Sequence, residues 1–443
     1  MKANMINMTE GSPIRLMLAF SVPMLIGNIF QQLYNLADSV IVGQLIGSDA
    51  LAAIGATGSI TFFFFALCNG IGSAGGIITS HFFGEGNADK VKNCIVNTAF
   101  IMIVFPLVIG AIAFFSAGPI LVFLKTPESI LADATGYMKI MCLNLFLVSA
   151  YNFVSSMLRA LGDSKTPLYF LIFSCFLNVI LDIIFVYNLK MGVIGAGLAT
   201  LISTILCSIL CLLFAFKTNP YFQMKKRDIR LNQEILWKCI KLGVPLSMQF
   251  SMIAISCMAL QRVVNNFGPI AVAAFTATSR VEQVIHQPYQ TLGAALSTYS
   301  GQNFGAKKKD RLIDGYRKAM LMMTVFTIVM IPLIQLFGHG ITRLFVKDSE
   351  VIEMGAFALK ISSYFYIFLG LIYMVRGVLN GVGDALFSLV NGVTEVIGRF
   401  TVPFILTTIP AIGVWGIWWS VGIVWFMSGA TAYLRYIFVK RRI

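Results

Sequence analysis

Apolar runs of the length that crosses a bilayer, roughly 20 residues each, recur along the whole chain with short polar segments between them. Twelve are legible, from the first near 14–46 to the last near 412–438, with spans 5 to 8 near 166–188, 192–216, 235–265 and 270–300, and spans 10 and 11 near 350–379 and 386–408. In hydrocarbon every backbone polar group has to be satisfied within its own segment, so runs of this kind predict helices. The expected fold is an all-α polytopic membrane protein with twelve transmembrane helices. The first run carries Gln31 and Asp38 and lacks a small-residue cleavage site. It is therefore expected to stay as a span and not to be removed as a leader.

The polar punctuation repeats. Pro23 in FSVPM meets Pro245 in LGVPL, FGEGNAD from Phe83 meets FGAKKKD from Phe304, and Lys139 meets Lys360. RALGD ending at Asp163 meets NGVGD ending at Asp384, and GVIG from Gly192 meets GVWG from Gly413. All five matches share an offset of 221 or 222 residues. Six spans per repeat is an even number, so both halves enter from the same side, as parallel repeats about an axis along the membrane normal. The predicted organisation is two six-helix pseudo-symmetric lobes: an N-lobe over 1–216, a cytoplasmic linker over 217–234 and a C-lobe over 235–443. Transporters place substrate at such repeat interfaces.

Composition agrees. Of 443 residues, 58% are hydrophobic and 12% charged, against about 25% charged in globular proteins, and the mean hydropathy is +0.83. A soluble domain and a disulfide-stapled secreted module are both excluded. The net charge of +14 is accounted for by topology: with both termini inside, and with residues at the inner ends of the spans counted with the adjoining loops, 23 Lys/Arg fall on the cytoplasmic side, 4 in outside loops and 6 in the span interiors, as the positive-inside rule requires. A multi-pass protein of the cell (inner) membrane is expected. The basic run Lys225, Lys226, Arg227 then suits anionic lipid and not nucleic acid. The eight cysteines fall in spans or on the inner side and are read as packing residues. No phosphate loop, nucleophile triad or clustered Cys/His set is present. An enzyme, a metal centre and an organic cofactor are not expected, which leaves a gradient of H⁺ or Na⁺ as the energy source.

Acids within spans are rare and expensive, and each marks a functional candidate. Asp38 in span 1, Asp182 in span 5 and Thr200 in span 6 stand at similar depth at 1.5 Å rise per residue. Gln31, Asn35 and Asp38 follow i, i+4, i+7 and share one helix face; Asn178 and Asp182 do the same on span 5. Such a set offers only oxygen ligands, which suits a proton or a hard cation. The repeat counterparts of the two acids are Leu260 and Pro403, so the scaffold itself does not require acids there. The plainer alternative is that both acids reach out to the surface.

The second half carries a different polar set: Arg280, Glu282, Gln283, His286, Gln287 and Gln290 on span 8, with Glu395 and Arg399 on span 11. Buried charges should be paired, so Arg280, Glu282, Glu395 and Arg399 are expected to form a network that holds the bundle. A second ion or substrate site is the sharper alternative. His286 is read as a hydrogen-bonded core residue.

The segments SVPMLIGNIFQQLYNLADSVIVGQLIG in span 1, RALGDSKTP before span 5, NVILDIIFVY in span 5 and GVIGAGLATLIS in span 6 together resemble the multidrug and toxic compound extrusion (MATE) transporters. The resemblance runs over essentially all twelve spans and implies a V-shaped pair of six-helix lobes. It implies export of cationic amphipathic compounds in antiport with H⁺ or Na⁺ by alternating access, with small organic cations and the bilayer as partners and a monomer as the working unit. Within the family the chain is most similar to the prokaryotic DinF-like branch, whose N-lobe cation site falls here on Asp38, Asn178, Asp182 and Thr200. Gln31, Tyr137 and Asn152 resemble N-lobe cavity residues, and Asn35, on the face of Gln31, is placed in the substrate cavity with them. Pro23 is the expected hinge of helix 1. The acids of spans 7 and 10 found in the NorM-like branch are missing, since span 7 has no interior acid and span 10 none after Glu353. The alternative within the superfamily is a lipid-linked precursor or polysaccharide flippase, kept open by Lys139, Lys360 and Arg376.

Overall fold

The computed structural model describes residues 4–124 and 126–442, and within them the chain forms thirteen α-helices and no strand. They are α1 (Pro13–Leu45), α2 (Ser48–Gly84), α3 (Ala88–Phe123), α4 (Glu128–Ala160), α5 (Lys165–Asp182), α6 (Gly192–Thr218) and α7 (Gln233–Asn265) in the first part of the chain. Then follow α8 (Gly268–Gly305), α9 (Lys309–Arg343), α10 (Ser349–Ser363), α11 (Tyr366–Gly381), α12 (Ala385–Thr408) and α13 (Gly416–Arg442). Ten described helices are long and apolar enough to cross a membrane. The tenth predicted span is not one straight helix: α10 and α11 meet at a bend of 53°, and only taken together are they long and apolar enough to cross. The twelfth rod is α8, 38 residues long, whose polar set dilutes its hydropathy. Span 5 also departs from a plain helix, since α5 runs on into a π-helical turn over Ile183–Asn188.

The helices cluster into two compact units. Among the described residues, unit 1 holds those up to Asn7 and those within Val22–Ser247, and unit 2 holds Met8–Ser21 and those from Met248 onward. In unit 1, α4 packs on α2, α3 and α6, and α5 packs on α6. In unit 2, α8 packs on α9, α10 and α11, and α12 on α13. Small residues let backbones approach where apolar burial gives helices no drive to associate in lipid. A Cβ on Gly75 would overlap Thr98 of α3, and one on Gly377 of α11 would meet the Gly293 carbonyl of α8.

Two segments join the unit opposite their own repeat, and hydrogen bonds show why. Ahead of α1, the Met8 N–H donates to Gln302 Oε1 at 2.8 Å, Asn303 Nδ2 donates to the Met8 carbonyl at 3.1 Å, and Arg311 Nη2 donates to the Gly11 carbonyl at 3.0 Å. Ahead of α7, the Asn232 N–H donates to Asn97 Oδ1 at 2.8 Å and Lys92 Nζ to the Gln223 carbonyl at 3.1 Å, while within α7 Ser247 Oγ donates to the Leu67 carbonyl at 2.6 Å.

The duplicated sequence is duplicated geometry. Gly162 and Gly383 take φ of +84° and +83°, a left-handed turn that glycine enters without a Cβ penalty. The aspartate after each caps the next helix: Asp163 Oδ1 accepts from the Thr166 N–H at 3.0 Å, and Asp384 Oδ1 from the Phe387 N–H at 3.4 Å. One pair differs, because Gly86 at φ +76° is matched by Lys307 at φ +56°.

Candidate functional site

Four side chains of unit 1 converge from three helices. Asp182 and Asn178 lie one turn apart on α5 and are 0% and 1% exposed. Asp38 of α1 brings its carboxyl within hydrogen-bonding reach of the Asp182 carboxyl. The Asp38 Oδ1 and Asp182 Oδ1 atoms are buried and accept no hydrogen bond among the described residues.

Asn178 links Asp182 to α6. With its amide nitrogen toward the acid it donates to Asp182 Oδ2 at 2.8 Å, and its oxygen accepts from the Thr200 N–H at 3.1 Å. Thr200 Oγ1 itself donates to the Ala196 carbonyl at 3.2 Å. The amide thus serves Asp182 as an acceptor and ties it to α6.

Two tyrosines complete the surroundings. Tyr137 of α4 is 9% exposed and packs in a cluster with Val42, Met141 and Val186, close to Asp38, Tyr34 and Asp182. Tyr34 was not singled out from the sequence, yet its hydroxyl pairs with Thr200 and it adjoins both acids. The signal was present: Tyr34 is i+3 from Gln31 and i−4 from Asp38, on the polar face already identified.

Other predicted residues stand apart. Gln31 and Asn35 lie on an exposed part of α1. Asn152 is fifteen residues beyond Tyr137 on α4, about 22 Å along the axis, and donates to Asn69 Oδ1 of α2 at 2.6 Å. Pro23 is buried inside an unbroken α1.

In unit 2 the expected charge network has a different membership. Glu395 of α12, 5% exposed, is held by Arg376 of α11 and by Arg399 at 3.9 Å. Arg376 also donates to Asn391, which reaches Ser428 of α13 at 2.7 Å. Arg280 is exposed and takes no part among the described residues. The reason is angular: two residues along a helix turn through about 200°, so Arg280 and Glu282 cannot share a face. Glu282 lies near Arg399, and Arg399 Nη1 donates to Ser256 of α7 at 3.2 Å. His286 does not have the hydrogen bonds expected of a core histidine: its Nε2 is buried without a partner, and its ring stacks edge-on to Trp425 with centroids 5.5 Å apart.

Comparison with known proteins adds to this geometry. The MatE family model matches residues 23–184 and again 245–405, in the register of the internal repeat. A probable multidrug resistance protein of Bacillus subtilis, YpnP, is 30% identical over 97% of this chain and 96% of its own length. The multidrug export protein MepA of Staphylococcus aureus is 24% identical over 95% and 93%. The crystal structure of a MATE protein in the straight conformation superposes with a TM-score of 0.93 at 23% identity, covering 100% of this chain and 99% of that one.

Proposed function

The chain belongs to the MatE family of multidrug efflux transporters, and from that premise we propose that it exports cationic amphipathic compounds in exchange for protons taken up at the Asp38/Asp182 pair. The observation that carries this reading is the contact of two buried carboxyls, each with an oxygen that no protein donor serves. Two carboxylates at that range repel, and a shared proton removes the repulsion. Asn178 supports this role, since its amide donates to Asp182 Oδ2 and leaves Asp182 Oδ1 open to a proton.

Exchange then follows from competition. A ligand shifts a conformational equilibrium only by its differential affinity for the two states, so proton and drug must favour different states of the same protein. Proton loading of the pair neutralises unit 1 and lowers its attraction for an organic cation, and drug leaves. Proton release toward the side bearing most Lys/Arg resets the acids. The excess of 23 over 4 basic residues supports termini on the cytoplasmic side and export from it. A flippase for anionic lipid-linked cargo is less well supported, since Arg376 is committed to Glu395 and Lys139 sits over the Phe114 ring at 5.5 Å.

The test is uptake of a fluorescent lipophilic cation into proteoliposomes under an imposed pH or Na⁺ gradient. The pH gradient should drive uptake in the wild type, and Asp38→Asn should reduce it to background while eluting as folded protein. Uptake driven by Na⁺ alone would replace the proton with sodium, and full pH-driven uptake by Asp38→Asn would sink the site.

A further inference from the structure

Unit 2 contains a second carboxyl that the Glu395 ion pairs do not absorb. Glu282 and His286 are i, i+4 on one face of α8, with Tyr289 the next residue along it. Glu282 Oε1, His286 Nε2 and the Tyr366 hydroxyl are all buried, and none has a hydrogen-bond partner among the described residues. Ser362, 0% exposed, is the polar neighbour that Glu282 faces. Ser362 and Tyr366 stand on either side of the 53° break between α10 and α11. Broken helices in membranes occur where they line a polar site and not where they face lipid.

We propose that Glu282 is a second proton-binding carboxyl, with Ser362 and Tyr366 as its hydrogen-bonding neighbours and Arg399 as the cation that biases it. The duplication of the fold argues against a purely structural role. At the offset of 221, Glu282, His286, Ser362 and Tyr366 correspond to Thr61, Phe65, Met141 and Leu145. Those four unit 1 residues line one small apolar pocket together. The same backbone positions are therefore filled by one hydroxyl, bonded to its own helix at the Thr57 carbonyl, and three apolar side chains in one repeat, and by a carboxyl, an imidazole and two hydroxyls in the other. The converse holds for the unit 1 acids, whose counterparts are Leu260 and Pro403. Each repeat thus carries a carboxyl site at a position where its twin has no ionisable group.

The groups facing Glu282 set its charge. These are Ser362 on α10, Tyr366 on α11 and Arg399 on α12, which is already shared with Glu395; His286 stands one turn along α8, and Tyr289 adjoins Tyr366. Tyr289 spends its hydroxyl on Thr327 of α9 at 2.8 Å, and α13 presents the Trp425 ring to His286. With Arg376 and Arg399 both on Glu395, an ionised Glu282 makes the interior of unit 2 neutral, and a protonated one leaves it with one excess positive charge. A neutral Glu282 has an O–H for Ser362, and its carbonyl oxygen accepts from Tyr366. Uptake of one proton then places a positive charge inside the lobe, which disfavours an organic cation nearby.

The proposal rests on the antiport reading for its transport consequence only, and titration can be read without transport. Infrared difference spectra between acid and alkaline pH, recorded on lipid-reconstituted Asp38→Asn/Asp182→Asn protein, should retain a titrating carbonyl band of a carboxylic acid shielded from water. Adding Glu282→Gln should remove that band. A double variant with no such band, or one in which Glu282→Gln leaves it in place, overturns the proposal and makes Glu282 a permanent countercharge. If the Gln variant fails to fold, Tyr366→Phe on the double-Asn background replaces it. A shift of the band's midpoint by about one pH unit, equal to one lost hydrogen bond of roughly 1.4 kcal/mol, supports the assignment, and an unmoved midpoint refutes it.

Discussion

Two carboxyls in contact depend on whatever orients them, and at the residue scale that group is Asn178. Its amide nitrogen donates to Asp182 Oδ2 and its oxygen accepts from the Thr200 N–H. Asn178→Leu keeps the volume and removes both ends of the bridge. Hydrogen bonds to charged groups contribute about 1.5–3 kcal/mol, so the proton concentration needed for half-maximal exchange should change by roughly tenfold or more, while the protein stays folded. Drug uptake measured against external pH reads that change, and a superimposable profile would leave Asn178 a packing residue. The acids, Asn178 and Thr200 were legible because helical spacing and depth are one-dimensional properties. Tyr34 was not, because an aromatic in an apolar span reads as packing until its hydroxyl is seen against Thr200. Arg280 and Asn152 were misplaced for a related reason: depth alone does not say which way a helix face points.

Elements in unit 2 are tied together through Glu395. Arg376 on α11, Glu395 and Arg399 on α12 and Ser428 on α13 form one connected set through Asn391. Removing one partner of a buried ion pair is costly because the other is left uncompensated, about 3–5 kcal/mol. Arg376→Met should therefore lower the thermal unfolding temperature in detergent sharply, and Arg280→Met, at an exposed position, should alter stability by no more than about 0.5 kcal/mol. Equal effects would mean that the network does not hold the bundle. Helix number and the Gly–Asp turns could be read from the sequence, since left-handed glycine followed by a capping aspartate is a local device. The bend between Ser363 and Tyr366 could not: the segment SSYF carries neither Gly nor Pro, so no local breaker marks it in the sequence.

At the scale of the whole molecule the chain passes between its two compact units twice inside helices, at Ser21/Val22 in α1 and at Ser247/Met248 in α7. Each crossing lies within three residues of a proline, Pro23 or Pro245, and these are partners in the internal repeat. Proline has no N–H, so the carbonyls of Ala19 and Lys241 lose their partners four residues on, and the helix bends there at little cost. If exchange requires α1 and α7 to flex at these points, alanine restores a hydrogen bond worth about 1 kcal/mol at each and stiffens both. Pro23→Ala/Pro245→Ala should slow turnover about tenfold or more, with the pH dependence of binding unchanged because Asp38 and Asp182 lie wholly within unit 1. Stopped-flow exchange in proteoliposomes separates the two readouts. Turnover equal to wild type would show that the crossings move as rigid helices, and a shifted pH profile with normal turnover would mean that Pro23 acts on the acid pair through α1.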